Sequence, residues 1–157
     1  MARILVVDDE VEMCNFFKFF LEGREHDLEV AENGAQARDA LQEYFHLVLL
    51  DLKLPDTDGI TLLKEIKDRY PTTEVVIMTG YSTVKSAVEA IQLGAYDYME
   101  KPFENLDALE AILERALSRA LARRELRDDE ELTRRKQVLK SVGFVAGRSE
   151  KMQRLLT

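Results

Sequence analysis

Three stretches of this chain have continuously apolar centres: Arg3–Asp8, His46–Asp51 and Glu74–Thr79. Nothing polar interrupts those centres, which predicts strands buried on both faces rather than the alternation of a half-solvated sheet. Leu28–Ala31 and Ala95–Met99 are shorter candidates of the same kind. Between these runs, apolar positions recur at helical spacing over Val11–Leu21, Ala35–Tyr44, Ile60–Tyr70, Thr83–Leu93 and from Leu106 onward. Asn33-Gly34, Asp58-Gly59, Pro71 and Gly94 fall between the proposed elements, where turn residues belong. Strands alternating with helices of this length predict a parallel sheet joined by right-handed crossovers. Five such units in about 120 residues predict an α/β, doubly wound sheet.

The first helix carries Met13, Phe16, Phe17, Phe20 and Leu21 as one stripe expected to face the sheet. Phe19 falls opposite that stripe, either as an isolated exposed aromatic or as a contact for a partner protein. The fifth helix has Leu106, Leu109, Ile112, Leu113, Ala116 and Leu117, more apolar positions than one sheet-facing stripe requires. That surplus is expected to meet a second copy.

Beyond about residue 121 the pattern changes. Eleven of the fourteen residues from Arg123 to Lys136 are charged, and none is Gly or Pro. Such a segment cannot build a core; it reads as a helical continuation in which Leu132 and Leu139, seven apart, form a thin seam for a partner helix. Ser141–Gly147 is expected to break this helix and Ser149–Leu156 to start another. The resulting divisions are residues 1–121 as the first domain, 122–141 as a helical, coiled-coil-prone linker, and 142–157 as the opening of a further domain.

Charge follows the same division. Residues 1–121 hold 12 Lys/Arg against 24 Asp/Glu and the remainder holds 10 against 6, within a net charge of −8. An acidic first domain argues against nonspecific nucleic-acid binding there. The longest apolar runs fall far short of the roughly 20 residues of a membrane-spanning helix. The start of the chain lacks the features of a secretion signal, so a cytoplasmic protein with no membrane partner is expected. One cysteine and two histidines offer neither an internal disulfide nor a zinc cluster. Any metal chemistry therefore rests on carboxylates.

Those carboxylates stand where an open α/β sheet binds its ligands, beyond the carboxyl ends of the strands. Asp8 and Asp9 end the first strand and Asp51 ends the third; if the first strand is central, all three share one crevice. Three like charges so close repel unless a cation joins them, and magnesium prefers such hard oxygen ligands. Thr79 closes the fourth strand and Lys101 follows the fifth, so a hydroxyl and an ammonium border the same crevice. A carboxylate nucleophile, a metal and a lysine are the parts that acyl-phosphate formation needs. Lys101-Pro102 adds a bond that can be cis at modest cost. Taken singly, each residue has an ordinary reading: Asp8 or Asp9 as a helix cap, Thr79 in a turn, Lys101 as a solvated charge. Five residues of the required types at the ends of four strands have no such reading together.

The segments Asp8-Asp9-Glu10, Leu49-Leu50-Asp51-Leu52-Lys53-Leu54-Pro55 with Asp58-Gly59, Met78-Thr79-Gly80 and Tyr98-Met99-Glu100-Lys101-Pro102-Phe103 resemble the response-regulator receiver domain. The resemblance covers residues 2 to about 120 and implies a flavodoxin-like five-stranded sheet in the order 2-1-3-4-5 with five helices. It further implies a sensor histidine kinase as partner and phosphorylation of Asp51. Magnesium would be held by Asp9, Asp51 and the Lys53 carbonyl, with Asp8 assisting. Thr79 and Lys101 would contact the phosphoryl group. Tyr98 would turn inward as Thr79 moves, reshaping the face of the fourth helix, fifth strand and fifth helix and favouring a homodimer. Such a domain catalyses its own phosphorylation and dephosphorylation without being a turnover enzyme.

Residues 144–153, Phe-Val-Ala-Gly-Arg-Ser-Glu-Lys-Met-Gln, look like the segment opening the ATPase of NtrC-type, sigma-54-dependent transcription activators. DNA and sigma-54 RNA polymerase would then be met only through domains absent from this chain. No G-x-x-x-x-G-K-[ST] loop occurs in it. A stand-alone receiver or phosphotransfer module is the alternative output. A haloacid-dehalogenase-type phosphatase would want a second Asp where Lys53 stands, and a flavin carrier would find the phosphate repelled by Asp8-Asp9-Glu10.

Overall fold

A computed structural model describes residues 2–80 and 83–145, with 127–145 given as helix backbone alone. The elements follow in the order β1 (Arg3–Val7), α1 (Val11–Phe20), β2 (Asp27–Ala31), α2 (Gly34–Ala40), β3 (Leu47–Leu50), α3 (Gly59–Arg69), β4 (Glu74–Thr79), α4 (Val84–Gln92), β5 (Asp97–Glu100) and α5 (Leu106–Val145). All strand pairs are parallel and the order is β2-β1-β3-β4-β5, so β1 and β3 are neighbours at the middle of the sheet. The chain divides into two compact units, Met1–Leu121 and Ala122–Thr157. The sheet and its site belong to the first.

Every residue of β3 and β4 is buried, which accounts for their uninterrupted apolar sequence: each face is covered by helices. Leu5, Val7, Val48, Leu50, Val75 and Ile77 pack with α2 and α3 on one side. Ile4, Val6, Leu47, Leu49, Val76 and Met78 pack with α1 and α5 on the other. Alternate residues of each strand thus serve opposite cores.

The stripe expected on α1 does face the sheet, with Cys14 added to it, while three other expectations need revising. The centre of the α1 stripe is Cys14, Phe17 and Leu21, while Met13, Phe16 and Phe20 flank it half-buried. Phe16 and Phe20 stack on each other at 5.5 Å, and Phe19 is 77% exposed. The helix predicted over Ala35–Tyr44 stops at Ala40, because 3₁₀-type bonds from Gln42 and Glu43 unwind it and deliver Phe45 into the core. In α5, Leu109, Leu113, Ala116, Leu117 and Ala120 are one buried stripe, so the surplus predicted there is largely used by the sheet. Leu106 is the exposed exception, and exposed apolar surface lies instead on α4 at Val84, Val88 and Ile91.

Of the break expected over Ser141–Gly147, the first part is helical, since α5 runs through Ser141 and Gly143 to Val145, and residues 146 and 147 lie outside the described residues. One serine and one glycine cost a helix only about 1 kcal/mol or less each, too little to stop it. The side chains of Leu132 and Leu139, and residues 149–156, lie outside the described residues.

Candidate functional site

The backbone ladder extends one step past each strand and in doing so sets the site. The Asp8 amide donates to the Ala31 carbonyl at 3.0 Å, the Asp51 amide to Val7 at 2.9 Å, and the Lys101 amide to Thr79 at 3.0 Å. Val7 is paired with Leu50, so the residues that follow, Asp8 and Asp51, emerge side by side from the central strands. Thr79, the last residue of β4, is fully buried at the same edge and lies opposite Glu100.

Side-chain oxygens of Asp8, Asp9 and Asp51 lie within 4.8 Å of one another. Carboxylates gathered this closely would hold a hard divalent cation such as magnesium, which would relieve their mutual repulsion. The set is oxygen only, which suits a hard divalent cation, and Asp9 is exposed toward the crevice it shares with Asp51, Lys53 and Lys101.

The Lys101 ammonium gathers three carboxylates: Asp8 Oδ2 at 2.7 Å, Glu10 Oε1 at 2.7 Å and Asp51 Oδ2 at 3.1 Å. Asp8 and Asp51 are each 3% exposed. Burial pushes the Asp8 carboxyl above its ordinary value, against the bonds from Lys101 and the Glu10 amide. Burial also works against the lysine's charge, but the hydrogen bonds to Asp8 and Glu10 and the charge of Asp51 outweigh it and hold the ammonium above its ordinary value. The Lys101-Pro102 bond is cis.

Between β3 and α3 the loop folds back on itself. The Lys53 amide donates to Asp51 Oδ1 at 3.2 Å, Lys53 pairs with Asp58 in an isolated antiparallel bridge, and the Gly59 amide returns to the Leu52 carbonyl at 2.8 Å. Asp58 also caps α3 through the Ile60 amide. A Cβ on Gly59 would stand 2.5 Å from the Leu52 Cα and 2.6 Å from the Asp51 carbonyl oxygen, so only glycine permits this approach.

Tyr98 lies apart from the carboxylates. Its ring is half-buried against the core on the α2/α3 side of the sheet, and its hydroxyl shares a 3.0 Å hydrogen bond with Ser86. Ser86 also completes the capping box of α4 with Thr83. Ser86 and Glu10 escaped the sequence reading. Glu10 had a signal in the consecutive Asp8-Asp9-Glu10 run; Ser86 had one in the Thr83-x-x-Ser86 spacing before an apolar helix.

Among the described residues no helix is long and apolar enough to cross a membrane. The family model for the response regulator receiver domain matches residues 4–114. Transcriptional regulatory protein ZraR of Escherichia coli (strain K12) is 45% identical over 116 residues, which are 73% of this chain and 26% of that relative's length. The chain thus spans about a quarter of the curated relatives it matches. Among solved structures, a CheY-like receiver domain protein from Methanospirillum hungatei JF-1 superposes with a TM-score of 0.70 at 32% identity, covering 76% of this chain and 96% of that one. NtrX from Brucella abortus gives a TM-score of 0.73 at 35% identity, over 90% of this chain and 34% of that one. With that match, that fold and that acidic edge, the chain belongs to the response regulator receiver domain family.

Proposed function

We propose that Asp51 accepts a phosphoryl group from the phosphohistidine of a sensor histidine kinase. The observation that carries this is the convergence of Asp8, Asp9, Asp51 and Lys101 on one edge of the sheet. An Asp51 carboxylate oxygen forms the new bond to phosphorus as the phosphorus–nitrogen bond breaks and the imidazole leaves with its electron pair. Lys101, already within reach of Asp51, shifts its ammonium onto the phosphoryl oxygens, and Thr79 donates its hydroxyl to another. Asp9, Asp51 and the Lys53 carbonyl would hold magnesium, Asp8 assisting, and the ion would neutralise charge building on the phosphoryl oxygens. The domain acts once per phosphorylation and is reset by hydrolysis, so it is a switch rather than a turnover enzyme.

Output follows through the α4–β5–α5 face. Tyr98, tied to Ser86 at the start of α4, would report Thr79's position to that helix. Val84, Val88 and Ile91 give the face exposed apolar surface for a second copy. Residues 1–121 are the receiver, 122–141 a helical linker and 142–157 the opening of an ATPase domain. The likeness to ZraR and NtrX supports placing the chain in a sigma-54-dependent transcription activator.

Incubation with acetyl phosphate or a phosphohistidine donor tests the reading. One phosphoryl group per chain, dependent on magnesium and lost in Asp51→Asn, is expected. Undiminished labelling of Asp51→Asn would sink it.

A further inference from the structure

The loop that carries Lys53 is fastened from outside as well as from within. Both carboxylate oxygens of Asp56, five residues beyond Asp51, accept from the first two amides of α2: Gly34 at 2.7 Å and Ala35 at 2.9 Å. These bonds hold the Asp56 carboxyl below its ordinary value, so it stays ionised. The approach is close: a Cβ at position 34 would stand 2.4 Å from the Thr57 methyl and 3.0 Å from Asp56 Oδ1, so a side chain there would have to push both aside. Arg38 of α2 adds a 3.3 Å bond to the Thr57 hydroxyl, and its guanidinium is itself fixed by two 2.9 Å bonds to Glu65 of α3. α2 meanwhile has a cap of its own, since Asn33 accepts from Gln36 at 2.8 Å.

This division is informative. The Asn33 side chain accepts from its own helix, whereas Asp56 joins the helix to the loop across more than twenty residues of sequence. Inside the loop the antiparallel pairing of Lys53 with Asp58 leaves little slack between Asp56 and Lys53. We propose that Asp56 is a positioning residue for phosphoryl transfer, anchoring the loop on α2 so that the Lys53 carbonyl faces the metal position between Asp9 and Asp51. This rests on the function proposed above.

The test compares the full chain with Asp56→Ala, Asp56→Asn and Asn33→Ala. Magnesium affinity is measured by calorimetry with the metal alone, acetyl phosphate labelling over a range of magnesium concentrations, and stability by melting. Asp56→Ala should raise the magnesium dissociation constant on the order of tenfold, the low end of what outer support of a metal ligand is worth. Its labelling should need correspondingly more magnesium to reach half of its maximal rate. Asp56→Asn keeps one acceptor and should fall between the two; it also carries the comparison if Asp56→Ala melts too low to measure. Asn33→Ala should lower the melting temperature and leave magnesium affinity alone.

Unchanged affinity in both Asp56 variants overturns the proposal. An equal loss in Asn33→Ala does the same, since it would trace the effect to the stability of α2. Failure of the wild-type chain to bind magnesium or to label at Asp51 would overturn the underlying reading instead, and is told apart by needing no variant.

Discussion

Lys101→Met, in protein stripped of metal by a chelator, isolates what the ammonium contributes before any ion binds. The variant keeps the length of the stem and removes the charge from between two carboxylates that are each 3% exposed. Glu10, whose side chain is 61% exposed, adds little, because an exposed pair is worth at most about 1 kcal/mol. Removing one partner of a buried pair costs about 3–5 kcal/mol. The cost has a ceiling, since a stranded carboxyl can take a proton: at pH 7, from an ordinary aspartate value near 3.9, that takes about 4 kcal/mol.

The two figures meet at a loss of about 3–4 kcal/mol, a large share of the 5–15 kcal/mol typical of a domain. At pH 5 the ceiling drops to about 1.5 kcal/mol. The sign follows from linkage: in the variant the folded carboxyl's pKa lies above its unfolded value, so the deficit is complete at high pH and shrinks as pH falls toward the unfolded value. Urea unfolding followed by circular dichroism at pH 7 and pH 5 measures both numbers. A loss below about 1 kcal/mol at pH 7, or one that fails to shrink at pH 5, would refute the view that Lys101 is the resident counter-charge of this site.

Asp9→Asn should weaken magnesium binding more than Asp8→Asn, because Asp9 opens onto the crevice while Asp8 is engaged by Lys101 and the Glu10 amide; calorimetric titration with equal or reversed losses would count against it. The hydrogen bond from Arg38 holds the Glu65 carboxyl below its ordinary value, so its contribution is present above the unfolded glutamate pKa and lost as pH falls through the lower folded one. Wild type should therefore melt slightly above Glu65→Gln at pH 7, with the gap closing in acid; both partners are substantially exposed, which keeps the gap small. Sedimentation should show the full chain self-associating more strongly with a phosphoryl mimic than without. A Val84→Asp, Val88→Asp double variant should remain monomeric in both states, and undiminished association in it would remove α4 from the interface.

Period and punctuation made the fold legible. Unbroken apolar runs marked β1, β3 and β4 as doubly covered strands, and a carboxylate or hydroxyl at the end of each pointed to one edge of the sheet. The shorter β5 was displaced by two residues, because Ala95 and Tyr96 continue the apolar pattern while packing as loop and leave the ladder to Asp97–Glu100. Phe45 was harder still: it falls between the helix expected to Tyr44 and the strand expected from His46, and the unwinding after Ala40 turns it inward. What no local pattern carries is pairing across distance. Asp56 reads as a turn residue until the fold brings Gly34 against it, and Glu10 as a solvated acid until Lys101 arrives from the far end of the domain.

The backbone contact of Gly59 bears on how such a protein can diversify. Position 59 is closed to all other residues because a Cβ there would strike main chain rather than a movable side chain. An insertion or deletion between Asp51 and Gly59 would disturb the loop that the Leu52–Gly59 hydrogen bond and the Lys53–Asp58 bridge close. A change of partner is therefore expected to arise outside this segment, on which the proposed chemistry depends. Surface positions such as Phe19, 77% exposed and remote from that loop in sequence, are free to drift, so new wiring can arise around an unaltered reaction.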